Sequence, residues 1–155
     1  MDKLRIVIGS DEAGFDYKEI LKKDLLANDL VASVTDVGVD ADGHTPYPRV
    51  GVAVGEAIAA GDADRGLLIC GTGMGVAMAA GKVKGVRASV AHDSFSVERL
   101  VLSNNAQVLA LGQRVIGAEL ARRLVREWLT YRFDETSASA EKVAVLDTYE
   151  ATGSC

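Results

Sequence analysis

Cysteine and histidine are scarce in this chain of 155 residues, which has only Cys70, Cys155, His44 and His92. Two thiols, one of them at the terminus, give no disulfide framework and suit a reducing compartment. Neither histidine stands in a zinc-type spacing, so no metal is expected. Basic residues are outnumbered, 17 against 22 acidic, for a formal charge of −5. They form no run interleaved with aromatics, which argues against nucleic acid as the partner. The chain also lacks the uninterrupted apolar run of about 18 residues that a membrane helix needs. Its first residues read as a strand, Leu4-Arg5-Ile6-Val7-Ile8-Gly9, instead of the apolar centre of a signal peptide. The expectation is a cytoplasmic protein with no membrane contact, whose anionic ligand is small and held locally.

What is present is alternation. Short β-like runs near 4–9, 31–37, 66–69, 87–91 and 107–111 are interleaved with helical patterns near 17–27, 50–60, 75–82, 94–102 and 118–131. This pattern predicts an α/β three-layer sandwich around a five-stranded parallel sheet, of Rossmann or flavodoxin type. The length suits one domain, residues 1–155, able to bury roughly 70% of its unfolded surface. Beyond Tyr131 a small, polar stretch leads to a helical tail with apolar residues and no core of its own, expected to pack on a neighbouring subunit. Right-handed crossovers gather the residues that follow each strand on one edge of the sheet. Those residues include Asp11 and Glu12, Cys70 and Thr72, His92, and Arg114, with Tyr47 in the second connection between Pro46 and Pro48.

Cys70-Gly71-Thr72-Gly73-Met74-Gly75 is the most informative segment. It places a thiol at the end of a buried strand, before a glycine loop that opens a helix. Glycines let main-chain N–H groups approach an anion, and the helix N-terminus adds partial positive charge. The same field favours a thiolate. A dinucleotide fingerprint fails because Val76 occupies the place of its third glycine, and a P-loop fails because five residues separate Gly75 from Gly81-Lys82. A structural cysteine beside a tight turn remains the bland alternative.

These residues together resemble the ribose-5-phosphate isomerase B and galactose-6-phosphate isomerase family. The matching segments are Gly9-Ser10-Asp11-Glu12-Ala13-Gly14, Tyr47-Pro48, Leu68 through Gly75, Ala80-Gly81-Lys82-Val83, Asn104-Asn105-Ala106-Gln107 and Gly112 through Gly117. The resemblance implies a cofactor-independent aldose–ketose isomerase, a homodimer that can pair into a tetramer, and active sites shared between two chains. It implies Cys70 as the base at carbon and Thr72 as its partner in moving a proton between oxygens. Asp11 and Asn104 would line the sugar hydroxyls, Tyr47 would flank the substrate, and Arg114 would meet the phosphate. An enediolate needs such a base and preorganised donors, and the amides of Gly71, Gly73, Met74 and Gly75 are the expected oxyanion donors.

Departures from the family pattern narrow the substrate. Ser103 stands where ribose-5-phosphate isomerases carry a ring-opening histidine, and Glu12 where they commonly carry another. Ser137, Ser139 and Lys142 replace the tail arginines that clasp phosphate from the other subunit. A four-carbon sugar phosphate has its O4 esterified and cannot close a furanose, so it needs no ring opening. With Ser103-Asn104-Asn105-Ala106-Gln107, Phe133-Asp134 and the Ser-rich tail through Lys142, the chain resembles the D-erythrulose-4-phosphate isomerase branch of tetritol catabolism. The alternatives are a ribose-5-phosphate isomerase and a non-catalytic sugar-phosphate-binding subunit of a heteromeric isomerase. His92 has two readings, a site residue or part of a helix cap with Asp93. Glu12 contacts a hydroxyl, a cation or the neighbouring tail, and His44 reads as solvated.

Overall fold

The computed structural model describes residues 1–155. Its strands are β1 (Leu4–Ser10), β2 (Val31–Asp36), β3 (Arg65–Cys70), β4 (Ala88–Val90) and β5 (Val108–Gly112). The helices are α1 (Phe15–Leu26), α2 (Tyr47–Ala59), α3 (Met74–Gly81), α4 (Ser94–Leu102), α5 (Ala118–Trp128) and α6 (Ala138–Thr152). All strand pairs are parallel, in the order β2-β1-β3-β5-β4. Every residue of β3 and β5 is buried, as expected of parallel strands covered on both faces, which read as continuous apolar runs.

The order differs from the flavodoxin order 2-1-3-4-5 in its last two strands. β4 has three residues and is only partly buried, whereas β5 is buried throughout, so β5 takes the inner place and β4 the edge. Reversal of strand order falls between β1 and β3, where ligands bind in open α/β sheets. Ser10 and Cys70 end these two strands.

Side-chain alternation divides the core in two. On one face Ile6, Ile8, Leu67, Ile69, Leu109 and Leu111 pack with Leu21 and Leu25 of α1, Val97 and Leu100 of α4, and Leu124 and Trp128 of α5. On the other, Val7, Leu68, Cys70, Val108 and Ala110 pack with Val50 and Val54 of α2 and Val76, Ala77 and Ala80 of α3. Together these make the expected three layers.

α5 stops at Trp128, short of the predicted Tyr131, and buried arginine explains why. Arg65 donates to the carbonyls of Trp128 (2.7 Å) and Tyr131, and Arg132 donates to those of Leu129 and Tyr131. Carbonyls at a helix C-terminus have no helical partner, and cations suit that end. Burial lowers the Arg65 pKa to about 10, which leaves it charged at neutral pH. α6 touches its own chain through buried Val143, an Asp147–Arg87 pair at 3.0 Å and Glu150 on the Gly85 amide at 2.7 Å. It leaves Val145, Leu146 and Tyr149 exposed. No helix is long and apolar enough to cross a membrane.

Candidate active site

Cys70 closes β3, is 5% exposed and turns its side chain toward the glycine loop. Its Sγ accepts the Gly73 N–H at 3.1 Å. Gly73 makes this turn at φ +80°, a conformation that suits glycine, and α3 begins at the next residue. The Thr72 Oγ1 accepts the Met74 N–H at 3.2 Å. Two of the four expected oxyanion donors are thus already engaged, Gly73 by the sulfur and Met74 by the threonine. This differs from the expectation of four waiting amides, because the loop curls tightly enough to bond its own side chains.

The segment after β5 clamps the loop from the side. Gln113 N–H donates to the Cys70 carbonyl at 2.9 Å, and Arg114 N–H to the Gly71 carbonyl at 3.0 Å. The Arg114 guanidinium lies over Gly71, where a Cβ would come within 3.1 Å of Nη1. The Gln113 side chain accepts the Tyr17 N–H at 3.1 Å, tying the clamp to α1.

Tyr47 was expected in a loop; it is the first residue of α2, with Pro48 second. Pro48 explains the difference, since proline suits the first turn of a helix. The Tyr47 ring covers Gly75, whose added Cβ would lie 2.8 Å from Cζ. Asp11 caps the 3-10 turn Glu12–Gly14 through Oδ1, which accepts the Gly14 N–H at 3.1 Å. Gly14 in turn abuts the Ile69 carbonyl, so Asp11 sits beside the end of β3. Glu12 is exposed and pairs with His44 Nδ1 at 2.8 Å. Its observed contact is therefore the imidazole that the sequence reading left solvated.

His92 and Asp93 divide the two readings between them. Asp93 accepts the Ser96 N–H and Oγ–H, both at 2.7 Å, at the start of α4. The His92 Nε2 accepts the Gly112 N–H at 2.9 Å. Burial lowers the His92 pKa, and the Asp93 charge only partly opposes this.

Ser103 and Asn104 lie elsewhere. Ser103 Oγ accepts from Arg99 at 3.2 Å. Asn104 lines a groove of about 610 Å³ with Arg87, Ser89, Ser96, Arg99 and Leu146, and the lining includes neither Cys70, Thr72, Tyr47 nor Arg114. A second recess of about 560 Å³ runs from Met74 and Met78 to the same Ser89 and Val90, so the two form one trough. Ser137 precedes α6 at its cap, and Ser139 and Lys142 lie in its first turns; the tail's observed polar contacts are with the β4 end of the chain. The structure thus brings together Cys70, Gly71 through Gly75, Tyr47 and Arg114, with Asp11 beside them, and leaves Asn104 and the tail apart. Sequence reasoning placed Gln113 on this edge without assigning it a contact, and missed Arg99. Nothing in a linear pattern marks the bond of Gln113 to Tyr17, 96 residues away.

A cysteine and a glycine loop at the switch point of this sheet define a class. The chain belongs to the Ribose/Galactose Isomerase family, whose pattern matches residues 6–146. Among individual relatives, it is 64% identical to "D-erythrulose-4-phosphate isomerase 2" of Mycolicibacterium smegmatis over 95% of this chain and 97% of that one. It is 45% identical to "D-erythrulose-4-phosphate isomerase" of Pectobacterium atrosepticum, over 95% of each chain. Ribose-5-phosphate isomerase B of Clostridium thermocellum superposes with a TM-score of 0.88 at 37% identity, covering 97% of this chain and 99% of that one.

Proposed function

We propose that residues 1–155 act as one aldose–ketose isomerase domain, without a cofactor, interconverting D-erythrulose 4-phosphate and D-erythrose 4-phosphate. The observation that carries this reading is the Cys70 sulfur at the switch point, accepting a main-chain N–H of the loop. From the ketose, the Cys70 thiolate takes a proton from C1, and the electron pair moves through C2 to its carbonyl oxygen. The resulting enediolate is held by loop amides near Gly71 and Gly75. Thr72 passes a proton between O1 and O2, and Cys70 returns its proton to C2. Atoms and charge balance without an oxidant. Arg114 takes the phosphate, matching a planar fork of donors to its oxygens, while Asp11 orients a hydroxyl.

The four-carbon assignment rests on position 103 and on the similarity to two erythrulose-4-phosphate isomerases. Ser103 has no titratable group to open a ring, and its hydroxyl is held by Arg99. Asn104 faces a groove whose lining includes neither Cys70, Thr72 nor Arg114, which supports a site completed by a second copy. In that arrangement Asn104, Ser137, Ser139 and Lys142 reach the partner's substrate. The exposed Met74, Met78, Phe95, Leu146 and Tyr149 supply apolar surface for the homodimer, with further pairing to a tetramer open to the same surface chemistry.

Initial rates on erythrulose 4-phosphate and ribulose 5-phosphate test the substrate. The tetrose should be turned over with a kcat/KM at least about tenfold higher, a margin of roughly 1.4 kcal/mol in transition-state binding. Equal or better turnover of the pentose would contradict the assignment.

A further inference from the structure

The ladder between β4 and β5 ends at Val90 and Ala110, whereas β5 continues to Gly112, where it pairs with Cys70 of β3. β4 is therefore too short to offer Gly112 a main-chain acceptor. The His92 Nε2 occupies that place and accepts the Gly112 N–H at 2.9 Å. Accepting requires the lone pair on Nε2, hence a neutral imidazole with its proton on Nδ1.

Gly112 is also where the clamp begins. Its backbone lies directly on Thr72, so closely that a Cβ would sit 2.7 Å from the Thr72 carbonyl carbon and 2.8 Å from its Cα. The next two residues donate to the carbonyls of Cys70 and Gly71, and Arg114 carries the guanidinium over Gly71. A shift of Gly112 therefore moves Thr72 and Arg114 relative to Cys70.

We infer that His92 is a positioning residue of the isomerase: its imidazole replaces the acceptor that β4 lacks and fixes the Gly112-Gln113-Arg114 clamp against the Cys70-Gly71-Thr72 loop. This rests on the proposed function for its kinetic consequence, while the hydrogen bond itself can be read without substrate. Protonation would set Nε2–H against the Gly112 N–H, donor to donor, and break the contact. Ionisable neighbours are Asp93 on the same turn, whose charge favours protonation, and Cys70 and Arg114 on the adjoining segments.

Two variants test it in the full-length protein. His92→Leu removes the acceptor and should lower kcat/KM about 10- to 100-fold, with both kcat and KM displaced, as expected for a misplacement approaching 1 Å. His92→Gln keeps an acceptor, its Oε1, at the reach of Nε2 and should stay within about threefold of the parent at pH 8. It should also lose the acid limb of activity that His92 protonation contributes. In 15N-labelled protein without substrate, the Gly112 amide resonance should titrate with the His92 ring in the parent and stay fixed in His92→Gln. An amide insensitive to pH in the parent, a leucine variant within twofold of the parent, or a glutamine variant as impaired as leucine would each overturn the inference. If the leucine variant does not fold, the glutamine variant and the Gly112 resonance decide the matter. Because the resonance is read without substrate, absence of tetrose-phosphate turnover would leave this test intact.

Discussion

Gly112→Ala puts a methyl group where the loop has least room. Its Cβ would lie 2.7 Å from the Thr72 carbonyl carbon and 2.8 Å from the Thr72 Cα. Ordinary carbon contacts begin near 3.4 Å, so about 0.7 Å must be found. Besides the Val115 Cγ2 at 2.7 Å, the atoms met are the Thr72 backbone, between a clamped strand end and a loop whose carbonyls accept from Gln113 and Arg114, so a rotamer change of Val115 alone does not absorb it. Overpacking of this kind costs roughly 1–3 kcal/mol. Displacing Thr72 by that distance from the proton it is proposed to transfer should lower kcat by about 10²-fold. Gly81→Ala is the control: nothing lies within 4 Å of its added Cβ, and at the end of α3 it should be neutral or stabilise by about 0.4–1 kcal/mol. Steady-state kinetics with urea denaturation of both variants provides the measurement. If Gly112→Ala retains kcat within threefold and unfolds at the parent's urea midpoint, the close packing of β5 on Thr72 does not govern the site.

Arg65→Met should cost about 1–3 kcal/mol in urea, because it strips the side-chain donor from the buried Trp128 carbonyl, while the Tyr131 carbonyl keeps Arg132. kcat per folded molecule should stay unchanged, since Arg65 begins β3 at the end opposite Cys70; an unaltered urea midpoint would contradict the capping role. Burial raises the Asp36 pKa, but hydrogen bonds from Lys18 (2.6 Å), Lys22 (2.8 Å) and the Gly38 amide (2.8 Å) outweigh it and hold the carboxyl below the ordinary range. Stability from this group is therefore complete above the unfolded carboxylate pKa of about 3.9 and is lost as pH falls through the lower folded value. Asp36→Asn should flatten the acid end of the thermal stability profile. At neutral pH it should also lower stability by about 2–3 kcal/mol, less than the loss for a fully buried pair because Asp36 is 24% exposed beside the 1% exposed Lys18. A parallel acid profile in the variant would remove Asp36 from the account.

Most of the fold was legible because buried parallel strands announce themselves as short apolar runs. Leu67-Leu68-Ile69 and Leu109-Ala110-Leu111 mark the two inner strands whichever neighbours they choose. The neighbours themselves were not legible: periodicity does not say that a strand of three residues yields the inner place to the next one. Helix ends depended on partners distant in sequence, so Arg65 ending α5 could not be seen from the pattern of α5. Cys70, the glycine loop, Tyr47 and Arg114 were readable from chemistry and resemblance, and the fold gathers them. The Gly112 contact of His92 was hidden because it follows from β4 being too short, a three-dimensional deficiency. The groove of Asn104 was hidden for a related reason, since position after α4 does not say which other elements a residue will face.

Turnover of D-erythrulose 4-phosphate by Cys70→Ala, compared with the parent at equal folded concentration, tests the central claim most directly. Removing the group proposed to take the proton from carbon should lower kcat by at least about 10³-fold, with thermal stability and substrate binding largely kept. A Cys70→Ala protein that still converts the ketose within tenfold of the parent rate would contradict it.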